Sequence, residues 1–282
     1  MSNNFLVFAG IAPHPPIMVP EVGGAASSEV RGSIDAMRDF TQRIIDSRAE
    51  SIVLISPHAP LQQNSFVAYM DTPLRGDFSG FRAPNVIIET PLDEELLTAI
   101  TRAAAEEDYK INGIRGFELD HGTLVPLYFL LRNGWRGSVV ALGYNFLSNE
   151  HHLRFGACIT RTINALQRPT AFVASGDLSH RLTRDAPAGY FRDAHLFDEE
   201  IVNSIKACEP SRVVHIDQDL RRAAGECGYR SMLILFGAVQ GEEALNCEVL
   251  HYEAPFGVGY LVAQIMASDN ANKALMEKGT SD

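Results

Sequence analysis

The sequence predicts an α/β fold: a single domain whose central mixed, mostly parallel sheet is flanked by helices on both faces. Three observations support this prediction. The chain has 282 residues, of which 46% are hydrophobic, and this is enough for a substantial core. Short apolar segments alternate with helical patterns, as they do where helices join parallel strands. Near the C-terminus, two strand-like segments follow each other directly, as in an antiparallel pair.

The individual elements follow from the spacing of apolar residues. Val30, Ile34 and Met37 recur at helical spacing, and the serines that precede them are suitable N-caps. Apolar runs predict strands over 5–11, 51–56, 85–89, 138–142 and 170–174. Helical patterns cover 27–48, 93–107, 123–133, 149–167, 190–207 and 227–239. The last two strands are predicted within 246–254 and 257–267, where they add an antiparallel pair to the sheet.

No internal repeat, low-complexity linker or block of charge divides the chain. We therefore expect residues 1–268 to form one catalytic domain and residues 269–282 to form a polar tail.

Composition excludes several classes of partner. The formal net charge is −11 and no basic stripe is present, which argues against nucleic acid. No apolar stretch approaches the roughly 18 residues of a membrane span, and the start of the chain lacks a basic region typical of a signal peptide. The four cysteines show neither CxxC spacing nor a disulfide framework. We therefore expect a reducing, cytoplasmic location.

Three histidines follow predicted strands at the point where each strand ends. His14 lies in APHPPI, His58 in SPHAP and His180 in SGDLSH. Ligands of an open α/β sheet bind beyond the carboxyl ends of its strands, so we expect these imidazoles to share one edge. The prolines beside the first two histidines stiffen their loops. A single histidine in such a position is more often a turn former or a cap, but three at one edge favour a functional site.

Neutral imidazole is the commonest histidine donor to transition metals, and two imidazoles with one carboxylate form the facial triad of non-haem iron(II) oxygenases. Glu226 is the candidate carboxylate because it stands where a long apolar helix is predicted to begin. An equally good interpretation is a first-turn glutamate that complements the helix dipole. The adjacent Cys227 is a competing ligand that favours softer or zinc-like coordination. Glu253, in a predicted turn between two strands, is a weaker candidate.

Two further residues, His121 and Asp177, are candidates for supporting roles in the site. His121, in LDHGTLVPL, precedes a mostly apolar helix, where it either belongs to a cap or aims an imidazole at an anion. Asp177 follows Gly176 and is predicted to orient the loop that holds His180.

The motifs APHPPI, SPHAP, LDHGTLVPL and SGDLSH, in this order and over most of the chain, resemble the class III extradiol dioxygenases. These enzymes are related to the catalytic subunit of protocatechuate 4,5-dioxygenase. The ending YEAPFGVGYLVA is closer to a subgroup that includes the Memo-like proteins.

The resemblance implies a ring-cleaving enzyme that uses Fe(II) and O2 on a small aromatic diol of the catechol type. It implies that His14, His58 and Glu226 hold the iron. It further implies that His180 is the acid/base residue and that His121 binds the substrate oxygen or stabilises charge. A homo-oligomer such as a dimer is compatible with this interpretation.

One departure from the family pattern matters, because Memo-like relatives carry cysteine near the position of the carboxylate. Here GECGYR offers Glu226 and Cys227 side by side. The first alternative function is therefore a metal-binding protein without ring cleavage, acting as a partner in redox or protein-modification pathways. The second is a zinc hydrolase, because two histidines and a glutamate also suit catalytic zinc.

Overall fold

The structure is a computed structural model that describes residues 4–240 and 245–267. It is a single-domain α/β fold with a large, mostly parallel mixed sheet, as the sequence predicts. The predicted polar tail, 269–282, lies outside the described residues.

Within the described ranges, eight strands form the main sheet in the order β6-β3-β7-β2-β8-β1-β10-β9. The four central strands, β7, β2, β8 and β1, are mutually parallel. On one side β3 pairs antiparallel with β7, and on the other the antiparallel pair β10 and β9 extends the sheet. These strands are β1 Leu6–Ala12, β2 Ser51–Ser56, β3 Phe66–Tyr69, β6 Ile111–Ile114, β7 Ser138–Gly143, β8 Thr170–Ser175, β9 Leu245–Glu253 and β10 Tyr260–Ala267.

Helices cover both faces of this sheet. The connections β1 to β2 and β7 to β8 cross the sheet in opposite directions, so right-handed crossovers place α2 and α5 on opposite faces. Helix α4 packs with α2, whereas α3 and α9 pack with α5. The helices are α1 Pro20–Gly23, α2 Arg31–Asp46, α3 Glu94–Glu106, α4 His121–Arg132, α5 Asn149–Leu166, α6 Ala194–Lys206, α7 Pro210–Val214, α8 Gln218–Ala224 and α9 Tyr229–Ala238. Short 3-10 turns occupy Pro16–Met18, Gly24–Val30 and Ser79–Phe81.

One predicted strand does not join the main sheet. The segment 85–89 lies in β5, Ala83–Thr90, which pairs with β4, Leu74–Phe78, in a separate two-stranded sheet. Residues of β5 alternate between buried and exposed positions, so this strand covers α4 with one face and cannot be a doubly buried central strand. The short strands β3 and β6 were not predicted, because four residues carry too little periodic signal.

The expectation that the cysteines form no disulfide is wrong. Cys208 follows α6 and is bonded to Cys247 in β9. The two residues are 39 positions apart in sequence, and only the packing of α6 against β9 brings them together. Cys158 and Cys227 are free.

No helix among the described residues is long and apolar enough to cross a membrane.

The parallel strands position the functional residues. Strands β2 and β8 are buried along their whole length, as expected for apolar runs covered on both sides. Since the four central strands are parallel, the segments that follow Ala12, Ser56, Gly143 and Ser175 emerge at the same edge.

Candidate metal centre

His14 follows β1 and is almost fully buried. Its ring Nδ1 lies 2.9 Å from the hydroxyl oxygen of Ser175, at the end of β8. The Ser175 hydroxyl donates its proton to the carbonyl oxygen of Gly122 at 2.6 Å, so its oxygen accepts from His14 Nδ1–H. We infer from this arrangement that Nδ1 carries the proton of the neutral ring. The Nε2 lone pair of His14 is therefore directed into the site.

His58 follows β2 and meets His14 at the edge of the sheet. The Nε2 atoms of the two rings are 3.0 Å apart. The backbone N–H of His58 donates to the hydroxyl oxygen of Ser56 at 3.2 Å, which shapes the turn after the strand. His58 is solvent-exposed, whereas His14 lies in the interior. The pair thus connects the core of the sheet to the solvent-facing side of the site.

His121 completes a group of three imidazoles. It is the first residue of α4, and its ring stacks on that of His58 with centroids 4.2 Å apart. Within the described residues, one nitrogen from each of His14, His58 and His121 lies within 4.8 Å of the others. The exposed Phe81, from the 3-10 turn that joins β4 and β5, packs edge-on against His121 with centroids 5.5 Å apart. The imidazole cluster therefore has an aromatic wall.

The carboxylate of Asp120 connects the end of β2 to the start of α4. It caps α4 by accepting from the backbone N–H and the hydroxyl of Thr123, at 3.2 and 3.1 Å. It also accepts from the hydroxyls of Ser56 and Tyr69. Because Ser56 in turn binds the backbone of His58, this carboxylate holds two of the three histidine loops in fixed positions.

Burial keeps the imidazoles neutral. Desolvation, with smaller contributions from His121 and His180, holds the pKa of His14 well below its usual value. Burial also lowers the pKa of His121, opposed by the negative charges of Asp120 and Asp177. A neutral imidazole is the form that binds a metal. At neutral pH these histidines therefore present lone pairs without first losing a proton.

A second group of potential ligands shares His14. Cys227 Sγ lies 3.6 Å from His14 Nε2, and a carboxylate oxygen of Asp177 lies 3.7 Å from the same nitrogen. Asp177 also accepts from the backbone N–H of His14 at 3.1 Å. This contact is additional to the predicted role of Asp177 in orienting the His180 loop. His14, Asp177 and Cys227 form the other metal-compatible group among the described residues.

Two glycines allow this second group to form. A Cβ atom on Gly176 would lie 2.1 Å from the Cα of Gly228, so only glycine permits this backbone approach. The contact brings the loop after β8 against the loop before α9. Burial raises the pKa of the Cys227 thiol well above its usual value, with a smaller contribution from Asp177. Burial likewise raises the pKa of Asp177 to about 6.

The two candidate glutamates lie in neither group. The Glu226 carboxylate accepts from the backbone N–H of Tyr229 at 2.7 Å, which caps α9, and lies 3.6 Å from Arg221 Nε. Its side chain therefore serves the start of α9, but from the loop before the helix and not from the first turn that the alternative interpretation expected. Glu253, at the end of β9, accepts from the backbone N–H of Ser33 at 2.8 Å and from its hydroxyl.

His180 lies in the loop after β8, near the cluster. It lies close enough to contribute, after burial, to the lowered pKa of both His14 and His58. Its backbone N–H donates to the carbonyl oxygen of Ala224 at 3.0 Å, which fixes the loop. Its buried ring Nδ1 has no hydrogen-bond partner within the described part of the chain. A buried ring nitrogen without a partner is unusual and is suited to a group that exchanges protons with a ligand.

This donor set fits a divalent transition metal. Three neutral imidazoles converge, and the protonated Nδ1 of His14 is already held by Ser175 with Nε2 directed inwards. The group is nitrogen-rich and suits iron or zinc better than magnesium or calcium.

The fold and the imidazole cluster define an α/β protein with a candidate metal centre at the carboxyl edge of its sheet. The sequence profile described as the catalytic LigB subunit of aromatic ring-opening dioxygenase matches residues 9–263. The chain belongs to this family, within the class III extradiol dioxygenase superfamily. The matched residues include every site residue named above.

Two similar proteins extend this comparison. Protein CA_C1420 of Clostridium acetobutylicum is 34% identical over 276 residues, which are 95% of this chain and 59% of that protein. The chain thus spans little more than half the length of this relative. The crystal structure of uncharacterized protein JW3007 from Escherichia coli K12 aligns with a TM-score of 0.59 and 16% identity. The alignment covers 82% of this chain and 91% of that one, and it shows a shared fold.

Several site residues were missed at the sequence level. Ser175 and Asp120 orient the histidines, and no local pattern identifies them as partners of residues more than 50 positions away. The available signals were indirect: Ser175 ends a buried strand, and Asp120 precedes a helix as a typical N-cap.

Proposed function

We propose that this chain is a metal-dependent extradiol dioxygenase that opens the ring of a small catechol-type aromatic diol with O2. The main support for this proposal is the convergence of His14, His58 and His121, with the tautomer of His14 set by Ser175. Membership of the ring-opening dioxygenase family supports the reaction class. Fe(II) is the proposed metal, because it is the metal of this class of reaction and accepts imidazole ligands.

In this proposal His14 and His58 hold the metal, and His121 is the third imidazole of the set. Bound Fe(II) would supply a site where a diol and O2 meet and where the acidity of the diol is raised. The alternative assignment, with Glu226 as third ligand and His121 binding the substrate oxygen, remains a prediction. Its weakness is that the Glu226 carboxylate is already bound to Tyr229 and Arg221.

The chain's own residues account for proton transfer and orientation. His180 accepts the proton of a substrate hydroxyl and returns it later, a role supported by its buried Nδ1 without a protein partner. Phe81 stands beside His121. In this proposal its ring packs against the aromatic ring of the bound substrate.

A second candidate function is metal binding without ring cleavage, in a redox or protein-modification pathway. The 3.6 Å distance between Cys227 Sγ and His14 Nε2 favours it, because a thiolate ligand selects softer metals. A zinc hydrolase is a third candidate, because three imidazoles also form catalytic zinc sites.

Partners and location are proposals as well. We propose an aromatic diol and O2 as partners and neither nucleic acid nor membrane, on the grounds of the family and the net charge of −11. A homo-oligomer is compatible with these proposals. The cytoplasmic location also remains a proposal, but the Cys208–Cys247 disulfide removes the cysteine argument for it.

The test is metal content after anaerobic purification, followed by oxygen uptake with a panel of catechols. We expect Fe(II)-dependent oxygen uptake that is abolished in His58→Ala. Stoichiometric zinc, with no oxygen uptake after reloading with Fe(II), would contradict the dioxygenase proposal. A bound soft metal such as copper that is lost when Cys227 is replaced would favour the second candidate function.

A further inference from the structure

The carboxyl group of Asp198 is buried where a helix, a strand and the His180 loop meet. Asp198 lies in α6 and is almost fully buried. Its Oδ1 accepts from the backbone N–H of Ser179 at 2.9 Å, and its Oδ2 accepts from the hydroxyl of Tyr252 in β9 at 2.7 Å. Ser179 immediately precedes His180 in the loop after β8. The carboxyl group therefore joins α6 and β9 to the backbone next to His180.

The close approach of this carboxyl group depends on Gly259, which precedes β10. A Cβ atom on Gly259 would lie 2.0 Å from Oδ2 of Asp198, so only glycine leaves room for the carboxyl group at this point. The backbone of Gly259 also binds the loop. Its N–H donates to the carbonyl oxygen of Ser179 at 2.9 Å, and its carbonyl oxygen accepts from the N–H of Leu178 at 2.8 Å. Ser179 is thus held at its carbonyl group by Gly259 and at its N–H by Asp198.

A buried carboxyl group at this position is costly for the fold. Burial raises the pKa of Asp198 to about 7, although hydrogen bonds from Tyr252 and Ser179 oppose the shift. An apolar side chain would fill this part of α6 without that cost, but it would offer no acceptor to the N–H of the buried Ser179. A buried polar group whose hydrogen bonds are all made fixes one arrangement of its neighbours. The carboxyl group is therefore better suited to fixing the loop than to stabilising the fold.

We propose that Asp198 is a positioning residue that holds His180 where its ring can exchange a proton with the substrate. This inference rests on the proposed ring-cleaving function, in which His180 is the acid/base residue, and deepens it. The backbone is anchored at two successive N–H groups, that of Ser179 by Asp198 and that of His180 by the carbonyl oxygen of Ala224 at 3.0 Å. The buried Nδ1 of His180 has no hydrogen-bond partner within the described residues, so the position of the ring depends on how firmly this backbone is held.

The direct test follows the His180 ring by NMR without any turnover. The full chain is prepared with isotope-labelled histidine and without added metal, and the His180 signals are identified by their loss in His180→Ala. In Asp198→Ala we expect these signals to shift and broaden, while those of the buried His152 in α5 stay unchanged. Asp198→Asn keeps an acceptor for the Ser179 N–H and should resemble the wild type. Tyr252→Phe should cause a smaller shift in the same direction, and it decides the test if Asp198→Ala does not fold.

Kinetics separate positioning from a general loss of stability. In the Fe(II)-loaded chain, Asp198→Ala should keep its iron and its anaerobic binding of a catechol but lose about 10- to 100-fold in kcat, the range for a misplaced catalytic group. Asp198→Asn should restore most of the rate. The control is Ile205→Val, which removes one buried methylene group from the same helix. It should lower the melting temperature and leave kcat and the His180 signals unchanged.

The outcomes distinguish this inference from the proposed function. His180 signals that coincide with those of the wild type in both Asp198→Ala and Tyr252→Phe would refute the positioning role. A fall in kcat in Ile205→Val as large as that in Asp198→Ala would also refute it, because the effect would then follow stability alone. If the wild-type chain takes up no oxygen with any catechol, the ring-cleaving proposal fails. The placement of His180 by Asp198 then stands or falls on the ring signals alone.

Discussion

The imidazoles of His14 and His58 face each other with their Nε2 atoms 3.0 Å apart, although the residues are 44 positions apart in sequence. Since Ser175 holds the proton of His14 on Nδ1, His14 Nε2 is the acceptor and His58 Nε2 is the donor. In the proposed site both Nε2 atoms would hold the metal, and His58 would then need the tautomer that leaves its Nε2 lone pair free. The two imidazoles thus meet in one small space at the edge of the sheet.

This pairing predicts that either histidine is essential for metal binding. His14→Ala and His58→Ala should each lose tight Fe(II) binding, because each imidazole would supply one ligand of the same ion. Glu253→Gln is the matched control, since Glu253 binds Ser33 and lies outside both groups of potential ligands. Metal content per chain after dialysis is the measurement. Stoichiometric iron in His58→Ala would refute the site.

The third ligand can be identified by three substitutions. We expect Glu226→Gln and Cys227→Ser to keep the metal and His121→Ala to lose more than about 10-fold in affinity, because even a residue that only orients a ligand contributes about 10- to 100-fold. The reason is that His121 stacks on His58, whereas Glu226 caps α9. Metal loss in Glu226→Gln, with the metal retained in His121→Ala, would support His14, His58 and Glu226 as the three ligands. Metal loss in Cys227→Ser alone would favour the Memo-like alternative.

His180 is expected to act in chemistry and not in metal binding. His180→Ala should keep its iron and bind a catechol but lose turnover by about 10²–10⁴-fold, the usual contribution of a positioned proton-transfer group. The basis is its buried Nδ1, which has no partner among the described residues. The exposed His195→Ala is the control. If iron content falls, His180 is a ligand. If melting temperature falls but the rate per folded molecule stays unchanged, its role is structural.

The burial of the Asp198 carboxyl predicts that the stability of the fold depends on pH. It is buried in α6 and accepts from the Ser179 N–H at 2.9 Å and from the Tyr252 hydroxyl at 2.7 Å. Burial raises the pKa of its carboxyl to about 7, although both hydrogen bonds oppose the shift. The folded state therefore binds more protons than the unfolded state between about pH 4 and pH 7. Stability contributed by the neutral carboxyl is lost as pH rises through this window.

Urea denaturation at pH 5 and pH 8 tests this dependence on Asp198. Between pH 5 and pH 8 the free energy of unfolding of the wild-type chain should fall by on the order of a few kcal/mol because of Asp198. In Asp198→Asn this part of the fall should be absent. Asn preserves the shape of the side chain, so the Ser179 contact next to His180 remains available. The exposed Asp193→Asn should behave like the wild type. Identical slopes in the wild type and Asp198→Asn would show that the carboxyl titrates normally.

The Cys208–Cys247 disulfide predicts that reduction lowers stability without disturbing the metal centre. The bond closes a loop between residues 39 positions apart, and the chain-entropy model assigns such a loop about 4 kcal/mol. Dithiothreitol should therefore lower the melting temperature of the wild-type chain, and metal affinity should not change because the bond joins the end of α6 to β9. The double variant Cys208→Ser, Cys247→Ser should be insensitive to dithiothreitol. A dithiothreitol effect of equal size in the double variant would contradict this assignment.

The sequence by itself determined the fold class and the placement of His14, His58 and His180 after strands. Both follow from local information. Fully apolar runs such as Ser51–Ser56 are typical of strands buried on both faces, and the residues that come directly after parallel strands must emerge at one edge. Helix boundaries agree to within a few residues because amphipathic spacing and caps are encoded locally, as at Asp120 before α4.

The tertiary structure alone decided which side chain of the GECGYR segment reaches the histidines. Gly225 adopts a left-handed conformation with φ of 65° and ends α8, and α9 begins only at Tyr229. In the loop between these helices Glu226 turns towards Arg221, while Cys227 turns towards Asp177 and His14. The contacts of Cys227 join residues 50 and 213 positions apart, and no periodicity within the segment encodes them. The same reason explains the Ser175–His14 hydrogen bond and the disulfide, since long-range packing creates both.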